Sequence, residues 1–240
     1  MQLAEMTSPE VEEYLARKRS ILVPVGSTEQ HGALGPTGCD HLVAEAVCIE
    51  VGKRSEVVLA PVLPYGQSES HMAFPGTVSL SAVTMALMVR DIVESLYRTG
   101  FRDVLFLSGH GGNRGPVMSG LADASRSCPE AVLRYLGYWE LPGIPEAEKR
   151  LFGEGRGLHA SAAEVSMIMV LREGFQPSED SLTRTARPRK GEVVSAPRWK
   201  RLNPQGPCDV DPELISRDKG REFFELLVRA LAQELAETGE

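Results

Sequence analysis

The chain has 240 residues, 42% of them hydrophobic and 25% charged, with a formal net charge of −7. That is ordinary globular usage, which argues against a disordered chain, and the acidic balance argues against nucleic acid as a partner. No apolar stretch approaches the ~20 residues that span a bilayer, so no membrane partner is expected.

The length suits one large α/β domain, and residues 1–240 are read as a single unit. The start, Met1-Gln2-Leu3-Ala4-Glu5, lacks the basic-then-apolar pattern of a signal peptide. Cys39, Cys48, Cys128 and Cys208 are widely spaced with no CxxC pair. They read as reduced thiols, and the expected location is cytoplasmic.

Strand and helix signals alternate along the chain. Thr7-Ser8-Pro9-Glu10 is a helix start, with Ser8 as cap and Pro9 in the first turn. Ile21–Val25 reads as a buried strand, and the polar run Gly26-Ser27-Thr28-Glu29-Gln30-His31-Gly32 follows it directly. A helix is expected from about Asp40 to Gly52, then a strand over Val57–Val62. Met85, Met88, Ile92 and Leu96 recur at three- and four-residue steps, which predicts a helix from Ser81 to Arg98, stopped by Gly100. Val104–Leu107 is the next strand, leading into Ser108-Gly109-His110-Gly111-Gly112-Asn113. A helix near Pro116–Ser125 and a strand over Ala131–Gly137 follow. The next helix carries Glu164 to Leu171, and the last, Arg217–Glu237, stripes Phe224, Leu227, Leu231 and Leu235 along one face. This alternation predicts an α/β fold with a mostly parallel sheet and helices on both sides.

In such a sheet, ligands bind beyond the carboxyl ends of the strands. Glu29 and His31 follow one strand end and His110 another. In extended backbone, residues i and i+2 point the same way. Glu29 and His31 therefore face a common ion or ion pair, with Gln30 turned away. A mixture of carboxylate and imidazole suits zinc, manganese or iron(II). Taken alone, the run could equally be a polar loop. Four of the five histidines, His31, His41, His71, His110 and His159, lie in glycine-rich or loop-like polar segments. Packing histidines more often lie in apolar runs.

Together these motifs resemble the creatininase (creatinine amidohydrolase) family. The resemblance rests on Gly26–Gly32 with Asp40, on Phe74-Pro75-Gly76-Thr77 after His71, on Ser108–Asn113, and on His159 followed by Glu164. It implies a three-layer α/β/α sandwich and a dinuclear-metal hydrolase of a small-molecule amide, often a hexamer. It also admits formamide hydrolases acting on pyrimidine nucleotides and a peptidase that matures a redox-cofactor precursor. The implied ligands are Glu29 and His110 on one divalent ion, His31 and Glu164 on the other, and Asp40 on both. Three carboxylates outweigh one divalent cation. Two cations with a shared hydroxide balance them, in a site where uncompensated charge is expensive. Creatininase itself carries a glutamate ligand two places after the histidine that matches His110. Here that position is Gly112, so Glu164 is expected to fill the vacancy, as in the glycine-bearing branch of the family. His159 matches the family's catalytic histidine, the expected proton donor to the leaving nitrogen.

Weaker features complete the reading. His71 with Phe74-Pro75-Gly76-Thr77 is expected to shape the site entrance or to form a purely structural turn, and Trp139 to stack on a flat substrate or simply to pack. Asn113 bonds substrate or braces its own loop. The stretch 174–212 holds six of the 16 prolines and a basic group of Arg184, Arg187, Arg189, Lys190, Arg198, Lys200 and Arg201. It reads as a lid, a subunit contact or an anion clamp. A non-catalytic metal-binding assembly protein is the competing class.

Overall fold

The computed structural model describes residues 1–178, 185–190, 192–207 and 210–237. Cys208 and Arg184 lie outside these residues. Four parallel strands, β1 (Ser20–Val25), β2 (Val58–Leu59), β3 (Asp103–Ser108) and β4 (Val132–Gly137), form one sheet in the order β2-β1-β3-β4. Among the described residues eight α-helices surround it: α1 (Ser8–Leu15), α2 (Cys39–Ser55), α3 (Ala82–Thr99), α4 (Arg114–Ala124), α5 (Ile144–Phe152), α6 (Ala162–Leu171), α7 (Ala196–Leu202) and α8 (Arg217–Glu237).

The period-two alternation of the strands divides the core into two layers. Ile21, Val23, Val25, Val104 and Phe106 pack against Tyr14 of α1, Met85, Val89 and Val93 of α3, and Val117 and Leu121 of α4. Leu22, Leu105 and Leu107 point the other way, onto Val43, Val47 and Val51 of α2, Phe152 of α5, Met167 of α6 and Leu227 of α8. A helix layer therefore covers each sheet face, as the alternation predicts.

Three expectations need correcting. Thr7, not Ser8, caps α1, because the Glu10 carboxylate accepts from both the Thr7 N–H and hydroxyl. The strand expected over Val57–Val62 is only Val58–Leu59. Pro61 has no N–H to donate, and the chain keeps only single contacts along β1, such as Leu63 N–H to the Pro24 carbonyl. Helices α5 and α7 were not expected. The signal for α5 is nonetheless in the sequence, with Pro145 in the first turn and Gly153 just past the end.

From β1 the chain crosses to β2 on one side and then to β3 on the other. The gap between the carboxyl ends of β1 and β3 is thus the switch point, where ligands bind in open sheets of this kind.

Candidate metal and active site

The loop after β1 brings Glu29 and His31 to this switch point. Its backbone is fixed by the Glu29 N–H to the Thr37 carbonyl at 2.8 Å and the Gln30 N–H to the Thr77 hydroxyl at 3.1 Å. Asp40, in the first turn of α2, comes between the two strand ends because Gly109 has no Cβ. Any side chain there would collide with the Asp40 backbone carbonyl. His110 follows at the end of β3. Glu164 arrives from the far side in the first turn of α6, whose cap is Ser161. Between His159 and that cap, buried Ala160 takes a left-handed φ of 48°. This strained turn aims His159 back toward Glu29.

Glu29, His31, Asp40 and Glu164 are buried, and Asp40 is central. His31 Nε2 lies 3.1 Å from Asp40 Oδ1, and His110 Nδ1 lies 3.2 Å from Asp40 Oδ2. His110 Nε2 is 3.4 Å from Glu29 Oε2, and His159 Nδ1 is 3.4 Å from Glu29 Oε1. Three groups bring their donor atoms close enough to hold a cation: Glu29–Asp40–His110, His31–Asp40–Glu164 and Glu29–His31–His159. The first two share Asp40. All the ion pairs that Glu29 and Asp40 make among the described residues are with histidines, never with lysine or arginine.

The hydrogen bonds fit a cation site. His31 Nδ1 faces the Glu29 carbonyl at 3.1 Å, and His110 Nε2 faces the Gln67 carbonyl at 3.0 Å. A carbonyl only accepts, so each ring gives one N–H to backbone and turns its other nitrogen toward Asp40. This is the arrangement that orients metal-binding histidines. His31 Nε2 and Asp40 Oδ2 are buried and, among the described residues, keep only their ion-pair contacts, with no well-aligned hydrogen bond, an arrangement that suits a cation between them.

The charges gathered here shift one another's proton affinities. Burial acts to lower the His31 pKa, but the Asp40 charge outweighs it and His31 stands at about 10. His110, likewise opposed by burial, is held up to about 9, chiefly by Glu29 and Asp40. Burial raises Glu29, and it lifts Glu164 to about 7 against the pull of His31. Asp40 is also buried, yet its two histidines hold it below the usual carboxylate range.

Supporting groups surround this centre. The Ser27 and Ser68 hydroxyls bond each other closely, and they border Glu29 and His110. The Tyr138 hydroxyl donates to Glu164 Oε1 at 3.4 Å. Glu164 Oε2 accepts the Ser161 N–H at 2.8 Å, closing the capping box of α6. Glu164 thus serves the helix with Oε2 and Tyr138 with Oε1, while its carboxylate stays within reach of His31 and Asp40. At Gly112 any side chain would meet the Gln67 carbonyl and the His110 ring. This backbone has no room for a glutamate there.

A cavity of about 710 Å³ opens above the cluster. Glu29, Asp40, His110 and Glu164 form its floor, while His71, Trp139, His159 and Trp199 stand on its walls. His31 lies beneath. Asn113 does not line the cavity. Its amide donates to the Gly26 carbonyl at 2.9 Å and accepts the Gln67 N–H at 3.1 Å, so it braces loops instead of reaching for substrate. His41 has its pKa lowered by burial and belongs to none of the three groups. Cys39 is fully buried, and its thiol pKa is raised well above the ordinary value, first by burial. From the proline-rich stretch, α7 lies over the entrance. Trp199 stands edge-on to His71, and Lys200 bonds the Ala73 carbonyl. Gln30 is the residue the sequence did not flag. It is buried, its Nε2 lies 2.7 Å from His71 Nδ1, and its backbone carbonyl lies 2.8 Å from His159 Nε2.

A family model described as creatininase, creatinine amidohydrolase, matches residues 4–235. The chain belongs to the creatininase family. Like the family's characterised members, it is a hydrolase. Creatinine amidohydrolase of Pseudomonas putida is 29% identical over 98% of this chain and 96% of its own length. Mycofactocin precursor peptide peptidase of Mycolicibacterium smegmatis is 34% identical over 62% of this chain and 56% of its own. Among solved structures, a creatininase mutant of Zn–Zn type superposes with a TM-score of 0.85 at 26% identity, covering 99% of this chain and 98% of the other. Among the described residues, no helix is long and apolar enough to cross a membrane.

Proposed function

We propose that the chain is a metal-dependent amidohydrolase that cleaves a C–N amide bond of a small molecule, using two divalent cations per subunit. The observation that carries this reading is the pair of donor groups sharing Asp40 on the cavity floor, whose Glu29 and Asp40 form their ion pairs, among the described residues, with histidines. Glu29 and His110 with Asp40 would hold one cation, and His31 and Glu164 with Asp40 the other. Zinc, manganese and iron(II) all suit this donor set. Such cations supply polarisation of the amide carbonyl and a water acid enough to ionise near neutral pH.

The chain's own residues do the rest. Asp40 fixes the separation of the two groups. Ser27, Ser68 and Tyr138 hold the carboxylates in place. His159 borders the floor and is held by burial with a pKa well below the ordinary value. Its neutral ring can take up a proton and pass it to the departing nitrogen, a general-acid step. His71 and Trp139 line the approach and orient a flat substrate. The same reading takes residues 1–240 as one catalytic domain, working in the cytoplasm as a homo-oligomer, a hexamer in the family's manner.

A second reading, a peptidase or formamide hydrolase acting on a larger linear amide, is supported by the cavity. About 710 Å³ suits a drug-sized ligand better than a single small ring. Turnover of metal-replete protein on a panel of cyclic lactams, formamides and short peptides, with and without chelator, tests both. Chelator-sensitive hydrolysis of any class supports the enzyme. No hydrolysis on the whole panel supports the non-catalytic alternative.

A further inference from the structure

Gln30 sits between Glu29 and His31 yet faces neither of their donor groups. Its side-chain oxygen accepts the Gly32 N–H at 2.9 Å. A backbone N–H can only donate, so this contact fixes which end of the amide is oxygen. The amide nitrogen then faces the two rings that stand above the floor. It lies 2.7 Å from His71 Nδ1 and 3.0 Å from His159 Nε2. The Gln30 backbone carbonyl also lies 2.8 Å from His159 Nε2. One residue therefore grips both rings from behind, and Thr77 in turn pins its backbone.

We infer that Gln30 is a positioning residue: its amide N–H holds His71 in the tautomer protonated at Nε2, and its backbone carbonyl, which accepts the His159 Nε2 N–H, fixes that ring with Nδ1 turned to the cavity floor. His71 Nδ1 has to accept, because an amide N–H has nothing to accept with. The His71 proton is left on Nε2, the edge that stands 4.0 Å from Glu29 Oε1. The cavity is thus offered a hydrogen-bond donor at His71 for a substrate oxygen, and an imidazole nitrogen at His159 for proton transfer. Gln30 touches neither the substrate nor the cations. It acts through the two rings. The inference deepens the proposed amidohydrolase reading, but its first test does not depend on turnover.

The test is nitrogen NMR of histidine-labelled full-length protein, zinc-loaded and metal-free, with the His71 signals identified by their loss in His71→Asn. In the wild-type chain His71 should be protonated at Nε2 and not at Nδ1. Gln30→Leu should release His71 into a mixture of tautomers. Gln30→Glu, of the same shape, should move the His71 proton to Nδ1, and it keeps the test open if the leucine variant does not fold. On the reading that the chain hydrolyses amides, both variants lower kcat by about 10–100-fold with zinc content unchanged, the usual size of such supporting effects. An unaltered His71 tautomer in a folded Gln30→Glu protein would overturn the inference, whatever the activity. Wild-type protein that shows the tautomers yet hydrolyses nothing would overturn the enzyme reading alone.

Discussion

The two donor groups that meet at Asp40 are built differently. In the first, Glu29 and His110 hang on loops leaving adjacent strand ends, and serines and a backbone carbonyl hold them. Their carboxylate has no structural duty besides the site. In the second, His31 lies fully buried beneath the floor, and Glu164 belongs to a helix start. One Glu164 oxygen is spent on the capping box of α6. On the proposed reading the first group serves binding, while the second is shared with folding. On that reading a helix-capping carboxylate doubles as a ligand, its Oε2 closing the cap and its Oε1 shared with the Tyr138 hydroxyl.

The largest expected effect removes what the groups have in common. Asp40→Ala should abolish binding of both cations and lower turnover by about 10³-fold or more, since several kcal/mol of electrostatic stabilisation are lost. Metal analysis and kinetics check this. Retention of one tightly bound cation would make the two groups independent and break the comparison.

Next comes the difference between the carboxylates. In chelator-treated protein, Glu164→Ala should cost about 1 kcal/mol in chemical unfolding, the typical worth of a lost cap. Glu29→Ala should cost nothing comparable, since the Glu29 carboxylate closes no helix cap. Loss of stability in the Glu29 variant alone would reverse the assignment of duties.

The smallest effect is on pH. His31 and His110 hold their protons in the folded chain up to about 10 and about 9, above the ordinary 6.5. Over that window the folded metal-free protein binds more protons than the unfolded. The stability these groups give is complete below about 6.5 and is lost as pH rises through their folded values. Cations must displace the same protons, so zinc affinity should climb across this window, with about two protons released per subunit. Unfolding free energies and zinc titrations at about pH 7 and about pH 10 check both slopes. Flat profiles would mean that these histidines do not carry the charge.

Much of this was legible in the sequence. The apolar runs, helix stripes and glycine stops located the strands and most helices. The run after β1 announced its donors, because a strand end followed by Glu-x-His is a local pattern. The role of Gln30 was not legible. The i, i+2 rule turned it away from Glu29 and His31, as the structure has it. The sequence did not show that His71 and His159, 41 and 129 residues distant, would close on that other side. Helix α7 was hidden in the proline-rich stretch, where Pro197 serves as a first-turn residue and not as a breaker. Asn113 offered two readings, and only the fold around Gly26 and Gln67 chose between them.

The central claim is a pair of cations bridged by one aspartate. Anomalous diffraction from crystals grown with zinc tests it most directly. Two peaks about 3.5–4 Å apart, one on either side of the Asp40 carboxylate, are the predicted result. A single peak, or a pair that does not touch Asp40, would contradict it.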